Sequence, residues 1–204
     1  LFKAGAFCGL ALFTAMSLQQ YSMISASAGK AGFISALYII FVPLISMFFG
    51  AKLENKIKVS VGLALVGLYL LCFKGGLTGF DMYDGLLLIG AFFYGVHILV
   101  VNHFSRHVNP VKMSCVQFFV VGLLSLPFML MFENPVAANF MAAKTPILYA
   151  GILTCGVAYT LQIFGQKFTP PTIASIILCM ESVFAVVGGS LILHETMTPR
   201  EVWG

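Results

Sequence analysis

The chain has 204 residues, a net charge of +4, and a composition that is 60% hydrophobic and only 9% charged. Soluble globular domains carry about 25% charged residues, so with a mean hydropathy of +1.00 the surrounding medium is expected to be lipid. The basic residues are scattered singly, without the Lys/Arg stripe that nucleic acid requires, which excludes that partner.

A helix needs roughly 20 residues to cross ~30 Å of hydrocarbon. In chain order the apolar runs predict seven spans, at 4–24, 31–50, 57–73, 84–103, 112–132, 147–166 and 172–193. Short punctuated connectors separate them: Ala26-Ser27-Ala28-Gly29, Gly75-Gly76-Leu77-Thr78-Gly79, Asn109-Pro110, Asn134-Pro135 and Thr169-Pro170-Pro171. Gly and Pro end helices and small polar residues cap them. The expected fold is therefore an all-α membrane protein, a polytopic transmembrane helix bundle. Gly5 and Gly9, Ala91 and Gly95, and Ala185 and Gly189 stand at the spacing that lets helix backbones approach closely in lipid. The five cysteines (Cys8, Cys72, Cys115, Cys155 and Cys179) lie in apolar stretches without metal-ligand spacing, and read as small hydrophobes between helices.

Numbering the connectors alternately puts Lys3, Lys52, Lys56, Lys58, Arg106, Lys112 and Lys167 on one side. Lys30, Lys74, Lys144 and Arg200 fall on the other. The positive-inside bias assigns the first set to the cytoplasm.

A shift of 143 residues lays Leu18–Lys52 on Leu161–Glu195. Leu18-Gln19 then meets Leu161-Gln162, Ala31 meets Ala174, Ile34 meets Ile177, and Phe41 meets Phe184. Internal repeats in membrane chains suggest transporters built from two related halves. The offset divides the chain into 1–74, the later three spans of a first repeat, and 84–204, four spans of a second. It places two spans before Leu1 and one after Gly204, ten in all. Five spans per repeat would insert the halves in inverted orientation.

The stretch Ser25-Ala26-Ser27-Ala28-Gly29-Lys30-Ala31-Gly32-Phe33-Ile34, followed by Leu37-Tyr38-Ile39-Ile40-Phe41-Val42-Pro43-Leu44, resembles the first EamA repeat of the drug/metabolite transporter superfamily. Ala174–Ala185 resembles the same element of the second repeat. It departs at Met180 and Ser182, where that family usually carries leucine and proline, and so lacks the proline that would kink the helix beside Glu181. Leu191-Ile192-Leu193-His194-Glu195 is similar to the close of that span. The resemblance implies spans three to nine of a ten-span fold, with both ends of the intact protein cytoplasmic. It also implies a permease or exporter in a membrane such as the bacterial plasma (inner) membrane.

Glu181 is the one charged residue near the middle of a predicted span, and the other 17 of the 18 charged residues lie in connectors or at span ends. A carboxylate at that depth is expected to face the bundle interior or to be protonated, which suits a proton or coupling-ion step; a structural carboxyl is the alternative. The repeat places Tyr38 at the matching position. His97, with Tyr94 and Asn102 near it in sequence, could relay protons or pair with Glu181, or equally pack as a satisfied histidine. Gln19, Gln20, Gln162 and Gln166, with Gln117 and Tyr159 as weaker cases, could hydrogen-bond a polar solute or join helices.

His103 and His107 are spaced for one helix face, but no third ligand is close in sequence. Asp81 and Asp84 read as solvated loop residues. No phosphate loop, nucleophile triad or metalloprotease helix is present, so no cofactor or metal is expected and the protein reads as no enzyme. Phosphorylated solutes would need deep Lys or Arg, whereas Lys30, Lys112 and Lys167 reach only span ends. The expected substrate is a small neutral, zwitterionic or cationic solute such as an amino acid, carried by secondary transport with alternating access. The alternatives are an intramembrane enzyme acting on lipids, for which only Glu181 and His97 offer polar groups, and a seven-helix receptor. A retinal protein would need a lysine within 172–193, and that stretch has none.

Overall fold

The computed structural model describes residues 1–26, 28–52, 54–72, 81–133, 136–184 and 187. All regular structure among them is helical: α1 (Phe2–Ser22), α2 (Ala28–Ala36), α3 (Tyr38–Phe48), α4 (Asn55–Cys72), α5 (Met82–Ser105), α6 (Pro110–Phe132), α7 (Ala137–Ala142) and α8 (Lys144–Tyr149). A π-helical segment (Ala150–Ala158), α9 (Tyr159–Phe168) and α10 (Pro171–Leu178) follow. Among the described residues, five helical stretches are long and apolar enough to cross a membrane: Phe2–Ser22, Lys30–Phe48, Met82–Ser105, Pro110–Phe132 and Lys144–Phe168. Helix α4 coincides with the expected span at 57–73. The last expected span begins as the shorter apolar helix Pro171–Phe184; most of its remainder, with Ala185 and Gly189, lies outside the described residues.

Local chemistry sets several boundaries. Asn109 caps α6 by accepting from the backbone N–H groups of Val111 and Lys112 at 3.0 and 3.2 Å. Pro110 fills the first helical position, where its missing N–H removes no helical bond. Asp81 and Asp84 form a reciprocal capping box at the start of α5. The Asp84 N–H donates to Asp81 Oδ1 at 2.9 Å, and the Asp81 N–H donates to Asp84 Oδ2 at 2.9 Å. Two orphan helix-end donors are thereby satisfied.

Lipid inverts the usual partition of side-chain size. In α1 the buried positions Ala4, Cys8, Ala11, Leu12 and Ala15 recur at helical spacing and are mostly small, while Phe2, Phe7 and Leu10 are exposed. Hydrocarbon tails are as apolar as a core, so close backbone approach, rather than escape of large side chains from water, drives helix association.

The packing divides the chain into two compact units: Leu1–Phe13 with Val100–Thr169, and Thr14–Leu99 with the described part of Pro170–Gly204. This partition interleaves segments from both sides of the sequence division at 74 and 84. In the first unit, Ala4, Cys8, Val101, Met113 and Ile163 form the core. A Cβ on Gly5 would lie 2.5 Å from Val116 Cβ, and one on Gly9 would lie 2.8 Å from the Gln117 carbonyl oxygen. Glycine is required at both because α1 passes α6 at backbone contact.

In the second unit, α10 packs on α3 and α4, and α2 also packs on α4. Its cores are Ala36, Ile39, Leu68 and Cys179, and Ala31, Ile34 and Leu87. Helix α2 ends at a turn at Leu37, whose carbonyl accepts from Ile40 N–H at 2.9 Å. Helix α10 ends at a turn at Cys179, whose carbonyl accepts from Ser182 N–H at 3.1 Å. The Cys179 thiol lies 3.8 Å from the Ala36 carbonyl oxygen, 143 positions earlier in the chain.

The structure corrects one reading of the cysteines. Cys8 and Cys179 are buried as expected, but Cys115 is exposed and Cys155 half-buried. Cys115 falls off the face of α6 that buries Met113, Ser114 and Gln117, because one or two residues turn a helix away from its buried stripe. The Cys72 side chain lies outside the described residues.

Candidate functional site

Helix α5 organises the polar groups of the second unit. Asp84, Leu87, Ala91, Gly95 and Ile98 are buried along it at three- and four-residue spacing, and His97 is buried next to Ile98. Tyr94 stands halfway along the helix, half-buried. Its hydroxyl donates to Gln19 Oε1 of α1 at 2.5 Å. Gln19 belongs to the last turns of α1, and the two meet because helical side chains lean toward their own N-terminus. The ring of Tyr38, the first residue of α3, lies edge-on to Tyr94 with centroids 6.4 Å apart. Phe41 and Phe92 make a similar edge contact at 5.7 Å. The cluster presents an amide, two phenols and aromatic faces: hydrogen-bond donors and acceptors beside π surfaces that attract ammonium groups.

Of the seven residues expected to bind solute or protons, Gln19, Tyr38 and Tyr94 meet directly. His97 is buried one turn beyond Tyr94. Glu181 shares the unit, and its side chain is exposed. Thr172, Ala174, Ser175 and Cys179 are the buried positions of this segment, and Glu181 stands about two turns beyond Ala174.

Gln162 and Tyr159 belong to the first unit. Gln162 is half-buried on α9, and the Tyr159 ring packs edge-on against Phe118 at 5.3 Å. Nearby, the Thr160 hydroxyl lies 2.8 Å from Ser114 Oγ and donates to the Gly156 carbonyl at 2.6 Å. Asn102 donates to the Gln166 and Thr169 carbonyls at 3.1 and 2.9 Å, closing the C-terminal turn of α9 in a structural role. Gln117 and Gln166 are buried and Gln20 is exposed. His107 Nδ1 lies 3.3 Å from the His103 carbonyl oxygen, and the two rings are 6.5 Å apart.

Asp84 departs furthest from its expected place. Instead of a solvated loop residue it is fully buried, and its Oδ2 lies 2.5 Å from Lys30 Nζ of α2. The sequence held two signals for this pair. Asp-x-x-Asp before an apolar run is a capping-box spacing. A lysine in the first turn of a helix opposes the helix dipole and calls for an acidic partner.

The profile of the EamA-like transporter family matches residues 82–204. The chain belongs to that family. An uncharacterized transporter of Archaeoglobus fulgidus is 33% identical over 204 residues, covering 100% of this chain and 65% of its own length. YoaV, an uncharacterized transporter of Bacillus subtilis, is 25% identical over 197 residues, covering 93% of this chain and 66% of its own. A crystal structure with 16% sequence identity superposes with a TM-score of 0.79, over 99% of this chain and 71% of that one; at that identity the likeness speaks for the fold alone. The chain thus spans about two thirds of the length of its relatives. It is an integral membrane protein of a polytopic helical family.

Proposed function

We propose that this EamA-family protein is a secondary transporter of a small neutral, zwitterionic or cationic metabolite, with amino acids as the leading class. It would work by alternating access in a cytoplasmic membrane. The observation that carries the reading is the Gln19–Tyr94–Tyr38 cluster, polar and aromatic groups brought together inside a lipid-embedded helix bundle. Amide and phenol bind a polar solute without demanding that it be an anion, and the tyrosine faces suit an ammonium group. His97 and Glu181 are the groups of this unit to which a coupling proton or another ion is assigned. Two related halves are supported by the turns that break α2–α3 and α10 at nearly equivalent positions. They are supported also by the Cys179–Ala36 contact at the repeat offset.

The test is uptake and efflux of radiolabelled amino acids in proteoliposomes of the intact protein. Tyr94→Phe removes the hydrogen bond to Gln19 and keeps the ring; it is expected to lower transport about tenfold, the weight of one hydrogen bond, with unchanged elution and melting. Glu181→Gln is expected to abolish pH-driven accumulation while leaving exchange in place. Transport indifferent to Tyr94→Phe would remove this cluster from the solute path, and accumulation indifferent to Glu181→Gln would remove Glu181 from the coupling step.

A further inference from the structure

Helices α1, α2 and α5 have ends at one level of the second unit. The last turn of α1 meets the first turn of α5 through the rings of Tyr21 and Tyr83, with centroids 6.1 Å apart. Both stand at ends of expected spans, where tyrosine is enriched at membrane–water interfaces. At the same level Lys30, in the first turn of α2, reaches across to Asp84 in the first turn of α5. Lys30 is 19% exposed and Asp84 is 0% exposed, so the pair is largely closed off from solvent.

Directly inward, one residue along α2 and one turn along α5, lie Ala31, Ile34 and Leu87, a buried apolar layer. Further inward, Tyr94 is ten residues beyond Asp84 on α5, or ~15 Å along the axis at 1.5 Å per residue. Tyr38 is eight residues beyond Lys30 on the broken α2–α3 helix. A solute moving between this boundary and the Gln19–Tyr94–Tyr38 cluster along the α2–α5 seam would have to separate the ion pair and then the apolar layer.

We infer that Lys30–Asp84 over the Ala31–Ile34–Leu87 layer is a gate, shut in this structure, between the cluster and the side that the basic-residue bias leaves non-cytoplasmic. The inference rests on the transporter reading of the cluster. The charge pair supplies specificity of closure and the apolar layer excludes water and ions. Two features favour a gate over a purely structural bridge. A lysine in the first turn of α2 is held against its own helix dipole, so α2 gains from this contact only while the two helix ends are together. Asp84 also accepts from the Asp81 N–H at the start of its own helix, so α5 keeps its cap when the pair parts. Opening therefore breaks an interhelical bond and leaves both helices intact.

The gate is tested by thiol accessibility, which requires no substrate and stays informative whatever the transport assay returns. Ala31→Cys is placed in the intact protein in membranes, with Cys8 retained and the other native cysteines replaced, and labelled with a membrane-impermeant maleimide. The second variant adds Lys30→Met and Asp84→Asn. Net charge is unchanged, and the amide oxygen introduced at position 84 still accepts from the Asp81 N–H. The gate predicts about tenfold faster labelling of position 31 in the second variant, the reading of a shifted open–closed equilibrium, with Cys8 of the other unit still protected. Equal labelling rates would overturn it. Faster labelling of both position 31 and Cys8 would overturn it as well, because the pair would then hold the whole bundle together.

Discussion

In the unit of Leu1–Phe13 and Val100–Thr169, α1 runs against α6 so closely that Gly5 and Gly9 have no room for a Cβ. Among its polar contacts are uncharged bonds from Asn102 and Thr160 to backbone carbonyls or a serine hydroxyl. In the unit of Thr14–Leu99 and the described part of Pro170–Gly204, the approach is looser. A Cβ on Gly90 would lie 3.4 Å from the Ala15 carbonyl oxygen, and one on Gly95 would lie 3.1 Å from Phe41 Cβ. This second unit carries the ion pair, the Tyr94–Gln19 bond and the Cys179 turn of α10, whose helix packs on α3. Backbone contact through glycine leaves a helix pair little freedom to slide, whereas side-chain bonds between helices can be exchanged for bonds to solute or water. The ion pair and the Tyr94–Gln19 bond, both open to such exchange, lie in the unit that also holds the candidate site.

The largest effect bearing on this contrast is expected at Asp84. Asp84→Ala removes the partner of Lys30 and half of the capping box together. Unfolding of the purified protein is expected to require about 3 kcal/mol less free energy, the loss seen when one member of a buried pair is deleted. A melting temperature within error of the parent would show that the pair contributes nothing to the folded state.

Next come matched glycine substitutions. Gly5→Ala is expected to destabilise by about 2 kcal/mol through overpacking against Val116. Gly90→Ala meets ordinary contact distance and should be neutral or stabilising by about 0.5 kcal/mol from helix propensity. Thermal melts of the two variants in one detergent decide the matter, and equal shifts would erase the distinction between the units.

The smallest expected effect is at Thr160. Thr160→Val deletes its bonds to Ser114 and Gly156, and bonds between membrane helices contribute about 0.6 kcal/mol on average. Transport should be unchanged. If Thr160→Val slows transport as much as Tyr94→Phe does, the solute path does not favour the second unit.

Much of the helical organisation follows from chemistry that acts locally along the chain. Apolar runs of span length, the Asn109-Pro110 start of α6 and the small-residue pair Gly5 and Gly9 are all legible because helix formation and capping involve neighbours within a few residues. The partnership of Tyr94 and Gln19 is legible only as two polar residues within or near the ends of apolar runs. Nothing in the order of residues says which helix stands beside which. Asp84 escapes a sequence reading because its two partners are of different kinds: Asp81 is local, while Lys30 is reached only when α2 and α5 are brought together.

The medium, the class of fold and the family are written in the chain itself, since composition and hydrophobic run length depend on no tertiary contact. So is the repeat whose offset relates Ala36 to Cys179. Which polar residues share a unit, that Asp84 is buried and Glu181 exposed, and that two compact units cut across the division of the sequence emerge only once the helices are packed. Those facts depend on helix rotation and on neighbours far apart in the chain. In lipid, where apolar faces all look alike, small residues and a few polar pairs settle them.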